Sequence, residues 1–393
     1  MSTSPATAAP PHPQDLHLAR EIAQQPRLWR EVVQRVTSQR PELDALTAPL
    51  LSRPEARVIL TGAGSSAFAG EVAAVGLSRS LGRRIEAVAT TDLVSNPRDH
   101  LTPDVATLLV SFARSGDSPE SVAAAELADQ VLGDVAHLVL TCNPEGQLAR
   151  THRGRATSVV LPMPEEAHDQ SFAMTSSFTS MTLAALLALD RSVAPGVLEQ
   201  RVEAMATAAQ DLLDRSAEVS ALADLPTSRV VYLGSGPLLG LARESALKLM
   251  ELTAGDVVAL ADSPLGFRHG PKAVLTPDTL VVVYLANDPY TRRYDLDIVT
   301  ELSADLGAER VVVVDGADQA AAGLPEPAPG TRTLRLPGTG RLPDAWWALP
   351  AVLVAQLFGL TTSLALGHTP DNPFPTGEVN RVVQGVTLHP LEA

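Results

Sequence analysis

The sequence predicts an α/β protein built as two similar domains, each a parallel sheet flanked by helices on both faces. Three observations carry this expectation. At 393 residues the chain exceeds one ordinary hydrophobic core. Two segments share one plan, an apolar strand, a Gly/Ser turn and then a helix. Further apolar runs follow each of them, separated by helical stretches, and strands alternating with helices imply parallel sheets.

The first 15 residues are rich in Pro, Ala, Ser and Thr and lack the basic-then-apolar pattern of a secretory signal. Residues 15–51 read as a helical arm in which Pro26 begins a second helix. The first repeat is Arg57-Val-Ile-Leu-Thr-Gly-Ala-Gly-Ser-Ser66, leading into the small-residue helix 67–78. The second is Arg229-Val-Val-Tyr-Leu-Gly-Ser-Gly-Pro237, leading into the helix 238–252. In each, the hydrophobic period switches from strand-like to helical at Gly-x-Gly. Strands are expected at 107–112 and 135–141 in the first half and at 279–285 and 310–314 in the second, with helices at 119–132 and 294–306. The strand pattern is missing between 193 and 225, which places the domain boundary there. The expected division is an N-terminal tail and arm at 1–45, a first domain at 46–215 and a second at 216–393. The stretch 317–331, rich in Ala, Gly and Pro, reads as a surface loop. Residues 345–366 approach the apolarity of a membrane span, but Pro350 interrupts them and Gln356, Thr361, Thr362 and Ser363 dilute them, so a buried helix is expected. The final stretch, with three prolines between 368 and 376, cannot be regular and reads as a structured, site-forming tail.

Composition narrows the function. With 45% hydrophobic and 19% charged residues the chain can bury a sizeable core. A net charge of −15 argues against a nucleic-acid surface, which needs clustered Lys and Arg. It leaves open a small phosphorylated ligand, for which a helix N-terminus and a few donors suffice. The single cysteine, Cys142, permits no intrachain disulfide and no Cys-based zinc site, in keeping with a reducing, cytoplasmic compartment. The nine histidines show no paired ligand spacing, so no metal and no cofactor are expected.

The sharpest motif is Ser111-Phe-Ala-Arg-Ser-Gly-Asp-Ser-Pro-Glu-Ser121. A strand ends near Phe112 and a helix starts at Pro119; between them Ser115, Gly116 and Ser118 offer backbone N–H groups and hydroxyls at the positive end of a helix dipole. Without the lysine of a Walker loop, this cradle suits a monophosphate. Ser118 could equally be an ordinary N-cap. Gly62-Ala-Gly64-Ser65-Ser66 forms a second such turn, lacking the third glycine of a dinucleotide fingerprint. Met174-Thr175-Ser176-Ser-Phe-Thr-Ser180 is a third hydroxyl-rich helix start.

Titratable groups concentrate in the second half. Glu244, Lys248 and Glu251 recur at spacings of four and three, on one helix face. They form either a solvated salt-bridging stripe or, since the flanking residues are apolar, a held carboxylate that can shuttle a proton between adjacent carbons. His269 stands in Arg268-His-Gly-Pro271, neither strand nor helix, where a tight turn fixes its position.

Together, Gly64-Ser65-Ser66, Ser115-Gly-Asp-Ser118, Glu244-Ser-Ala-Leu-Lys-Leu-Met-Glu251 and Arg268-His-Gly-Pro271 resemble, in the same order, the isomerase half of glucosamine-6-phosphate synthase, a pair of SIS (sugar isomerase) domains. The closing stretch Thr369-Pro-Asp-Asn-Pro-Phe-Pro-Thr-Gly-Glu-Val-Asn-Arg-Val-Val-Gln-Gly385 resembles the narrower AgaS group of galactosamine-6-phosphate deaminases and tagatose-6-phosphate ketose/aldose isomerases. The resemblance implies that Gly64, Ser65, Ser66, Ser115, Gly116, Ser118, Thr175, Ser176 and Gln384 surround the substrate. It implies that Glu251 moves a proton between C1 and C2 with Lys248 beside it. It further implies that His269 opens the sugar ring and reaches the site of a neighbouring subunit, so that a homodimer shares its sites. Three departures are visible. Ala113 replaces a phosphate-side serine, Gln384 stands where the synthase has an imine-forming lysine, and the start Met1-Ser2-Thr3 lacks the synthase's nucleophilic cysteine. The glutamine-dependent synthesis is therefore not expected, and the same core run in reverse would release ammonia. The expected substrate is a hexosamine 6-phosphate, galactosamine 6-phosphate first. Isomerisation without deamination, glucosamine-6-phosphate deamination and a non-catalytic sugar-phosphate sensor remain as alternatives.

Overall fold

The computed structural model describes residues 15–316, 326–383 and 385–392. The arm consists of three helices, His17–Ala23, Gln25–Ser38 and Arg40–Leu51, the second with Pro26 in its first turn as expected. Two five-stranded parallel sheets follow. The first contains β1 (Arg57–Thr61), β2 (Ile85–Ala87), β3 (Thr107–Ala113), β4 (Val135–Thr141) and β5 (Ser158–Pro162) in the order β2-β1-β3-β4-β5. The second contains β6 (Arg229–Gly234), β7 (Val258–Asp262), β8 (Thr279–Tyr284), β9 (Val311–Asp315) and β10 (Arg332–Arg335) in the order β10-β9-β8-β6-β7. Every pairing is parallel, with β1 Leu60 beside β3 Val110 and β6 Leu233 beside β8 Val283. The buried central strands β3, β8 and β9 are the continuous apolar runs visible in the sequence.

The repeat extends to backbone detail. Gly64 and Gly236, each just before the helix that follows its strand, take φ of 56° and 57°. That left-handed conformation disfavours any side chain bearing a Cβ. The two helices so launched, Ser65–Leu81 and Pro237–Leu252, pack against each other across the middle of the molecule. They approach closely because Gly240 has no side chain: a Cβ there would lie 2.9 Å from the Val72 backbone nitrogen. A single apolar cluster therefore runs through both halves, from Leu60 and Leu138 to Tyr232, Val282 and Trp347.

The apolar 345–366 stretch is the helix Asp344–Ala365, long and apolar enough to cross a membrane but packed inside, with 83% of its most apolar window buried. It runs through Pro350 without a break, a correction to the expected interruption. Proline removes only its own N–H bond, and dense packing on both sheets' helices compensates. The tail after this helix lacks regular structure but is tied down. Asp371 accepts from the N–H groups of His17 and Leu18 at 2.9 and 2.8 Å, and the Phe374 ring lies 5.1 Å from that of Phe172.

Candidate active site

The Pro237–Leu252 helix leans on the first half, so its C-terminal turn arrives at the carboxyl ends of β1 and β3. In such sheets those strand ends are where ligands bind. A cavity of ≈ 230 Å³ opens there, lined by Gly64, Ser65, Ser66, Ser115, Gly116, Ser118 and Glu251, and closed by Phe172, Met174 and the tail residues Val379, Asn380, Arg381 and Val383. Its size is below the ~300–1,000 Å³ typical for drug-sized ligands and suits one sugar phosphate. Six of the expected substrate-binding residues thus share one cavity with Glu251, the proposed base. Ser118 precedes the Pro119–Val131 helix, yet its side chain makes no capping hydrogen bond, which leaves the hydroxyl free to face a ligand. The turn is held by Asn143, which donates to the Ser115 carbonyl at 2.9 Å, and by Asp117, which accepts from the Gln147 N–H at 2.8 Å.

The third hydroxyl-rich helix start is closed. Thr175 and Ser176 are fully buried and do not line the cavity, a correction to their expected role. The anion position at the Ser176–Leu189 helix is filled by Asp169, whose carboxylate accepts the N–H groups of Thr175, Ser176 and Ser177 at 2.8–3.0 Å. The second half's own cradle is closed in the same manner. Asp288 accepts from Tyr290 and Thr291 at the start of Pro289–Leu306, and Ser235 donates to Asp295 at 2.6 Å. A carboxylate already at a helix start leaves no room for a phosphate and repels it. Of these starts, the Gly64–Ser66 and Ser115–Ser118 turns of the first half stay open to the cavity.

Glu244, Lys248 and Glu251 are not a solvated stripe. Glu244 and Lys248 are fully buried, and Lys248 Nζ sits between its neighbours, bonded to Glu251 Oε2 and 3.6 Å from Glu244 Oε1. Neither Glu244 oxygen has a hydrogen-bond partner of regular geometry among the described residues, so Ser65 and Lys248 ease its charge only from a distance. Burial pushes its pKa up to about 8, with Lys248 pulling it down and Glu251 adding repulsion. Burial opposes the charge of Lys248, but Glu244 and Glu251 together hold its pKa above the ordinary lysine value. Burial thus favours the neutral acid at Glu244 and the pair of glutamates favours the ammonium at Lys248. Of the three, only Glu251 reaches the cavity.

His269 does not line the cavity. It is exposed after the short Pro264–Phe267 helix, and its basic neighbours Arg268 and Lys272 are engaged by Glu301. Gln384 lies outside the described residues. Two charged cavity residues escaped the sequence reading although both stand inside quoted motifs: Arg114, in the Ser111–Ser121 run, and Arg381, in the tail. Asp169 was missed because its role as a cap appears only once residues 169–177 fold back on themselves.

Comparison with known proteins agrees with this architecture. The SIS domain family model matches residues 50–191. A Streptomyces coelicolor protein, named provisionally as a D-galactosamine-6-phosphate deaminase AgaS, is 57% identical over the full length of both chains. The D-galactosamine-6-phosphate deaminase AgaS of Shewanella sp. strain ANA-3 is 42% identical, covering 95% of this chain and 92% of its own. The crystal structure of tagatose-6-phosphate ketose/aldose isomerase from Escherichia coli superposes with a TM-score of 0.86 at 40% identity, covering 98% of this chain and all of that one. The chain belongs to the AgaS family of SIS-domain proteins.

Proposed function

We propose that this chain is an aldose–ketose isomerase and deaminase that converts galactosamine 6-phosphate and water to tagatose 6-phosphate and ammonia. The observation that carries the reading is a single cavity lined by both the open Ser115–Ser118 cradle and Glu251. The first domain, 46–215, holds the phosphate, and the second, 216–393, supplies the base. Glu251 takes the C2 proton of the open-chain amino sugar and returns it to C1, which converts the 2-amino aldehyde to a 2-imino ketose skeleton. Water adds to the C2=N bond and ammonia leaves. The names of the relatives fit two halves of this sequence, one a deaminase and the other a ketose/aldose isomerase of the same sugar series. Proton transfer between adjacent carbons needs one carboxylate within reach of both, held where it cannot drift. The Lys248 ammonium provides that hold.

His269 is exposed in its own chain, so we assign it to ring opening in the site of a second copy, in a cytoplasmic homodimer. The decisive assay incubates purified enzyme with galactosamine 6-phosphate and measures ammonia and ketose together. Equal yields of both support the reading, whereas ketose from galactose 6-phosphate without ammonia from the amino sugar would leave plain isomerisation. Mixing Glu251→Gln and His269→Gln chains, each inactive alone, restores activity if sites are shared. Persistent inactivity of well-folded mixed dimers would refute the sharing.

A further inference from the structure

Two charges in the cavity wall take no part in the proton transfers. Arg114 follows β3 and is 9% exposed; Arg381 comes from the tail, and both line the cavity beside Ser115 and Ser118. Arg114 donates through Nη1 to the Phe172 carbonyl at 3.0 Å and through Nη2 to the Arg381 carbonyl at 2.8 Å. Arg381 donates through Nη2 to the Asp169 carbonyl. Among the described residues neither guanidinium is in an ion pair; their hydrogen-bond partners are backbone carbonyls. The nearby carboxylates, Glu21 and Asp169, are engaged elsewhere, Glu21 by the Gln170 and Ser171 N–H groups and Asp169 by the Ser176–Leu189 helix start.

Two like charges brought together in a half-buried wall with no carboxylate bonded to either repel each other, and burial together with Arg114 lowers the pKa of Arg381, with Glu21 and Asp169 offsetting only part of the shift. Carbonyl bonds engage two of the five N–H donors on Arg114 and one of those on Arg381, leaving several in each fork for oxygen acceptors. The hydroxyl cradle supplies only neutral donors and a helix-dipole charge of about +0.5. The chain as a whole carries −15 and repels a dianion. Resting on the reading of the site as a sugar-phosphate pocket, we propose that Arg114 and Arg381 form a two-guanidinium clamp on the substrate's phosphate. This clamp sets the preference for phosphorylated over unphosphorylated amino sugars. It also supplies cationic charge next to a position where Ala113 offers no hydroxyl.

The test uses full-length enzyme and calorimetric titration with inorganic phosphate, together with steady-state kinetics on galactosamine 6-phosphate and on galactosamine. Arg381→Gln retains an amide donor for the Asp169 carbonyl and loses the charge; Arg381→Lys retains the charge. We expect Arg381→Gln to bind phosphate about 10–100-fold more weakly and to raise KM in proportion, with kcat much less affected and the melting temperature unchanged, and Arg381→Lys to recover part of the affinity. Arg114→Gln should behave like Arg381→Gln. The clamp is overturned if Arg381→Gln binds phosphate as the unaltered enzyme does. It is equally overturned if the Gln and Lys variants lose affinity alike with a lowered melting temperature, since the arginine would then only anchor the tail. Phosphate binding does not depend on turnover. An enzyme that releases ammonia without arginine dependence sinks the clamp alone, and one that binds phosphate through the arginines but turns nothing over sinks the function alone.

Discussion

Glu251→Gln separates chemistry from architecture in this site. The amide keeps the side-chain shape and an oxygen for Lys248 but cannot take a proton from C2. Positioned acid–base groups contribute about 10²–10⁴ in rate, so kcat should fall by that factor, or about 2.7–5.4 kcal/mol at ~1.36 kcal/mol per decade. The surrounding geometry determines what else changes. Glu244 is held near pKa 8 by burial, and Glu251's charge adds to the shift. With that charge removed, Glu244 ionises more readily and becomes the counterion of the buried Lys248, 3.6 Å away. The fold should then lose only about 1 kcal/mol rather than the ~3–5 kcal/mol of stripping a buried ion of its partner. Steady-state kinetics, phosphate titration and urea unfolding on one preparation read all three quantities. A variant with nearly normal kcat would refute proton transfer by Glu251. A variant losing phosphate affinity as steeply as turnover would make Glu251 a structural wall of the pocket.

Acid should unfold the first domain in a specific window. His152 is buried beside His137, and burial pulls its pKa from 6.5 to about 4. The native state therefore holds fewer protons than the unfolded chain, and stability present above pH 6.5 is lost as pH falls toward 4, by at most about 3 kcal/mol; urea midpoints for the unaltered protein and His152→Leu that fall equally between pH 7 and 4.5 would remove His152 as the cause. Asp169→Ala uncaps the Ser176–Leu189 helix and should cost about 2 kcal/mol, seen as a lower melting temperature, since one carboxylate accepts three N–H groups there; an unchanged melting temperature would mean that water replaces the cap at no cost. Gly240→Ala puts a methyl within 3.0 Å of both Glu71 Cβ and the Val72 nitrogen, so the two central helices must separate. Stability should drop by about 1–3 kcal/mol and KM should rise as Glu251 shifts away from the cradle; kinetics like those of the unaltered enzyme would show that the helix contact does not set the site.

The central strands β1, β3, β4, β6, β8 and β9 were legible in the sequence because strands buried on both faces are continuous apolar runs. The four strands missed, β2, β5, β7 and β10, are the four sheet edges, where exposure mixes polar residues such as Glu86 and Arg335 into short segments. The Ser115–Ser118 cradle and the Glu244–Lys248–Glu251 spacing were legible for a similar reason, since both are local patterns set by a turn and by helical periodicity. Which of three hydroxyl-rich starts is open was not, because Thr175 and Ser176 differ from Ser115 and Ser118 only in whether a carboxylate from another part of the loop has already taken the anion's place. Nor could spacing bring Glu251 to Ser118 or the tail's Arg381 to Arg114. Residues more than a hundred positions apart meet because helices without bulk at Gly240 close on each other and because the tail folds back onto the first half, and both are properties of packed surfaces rather than of any local stretch of chain.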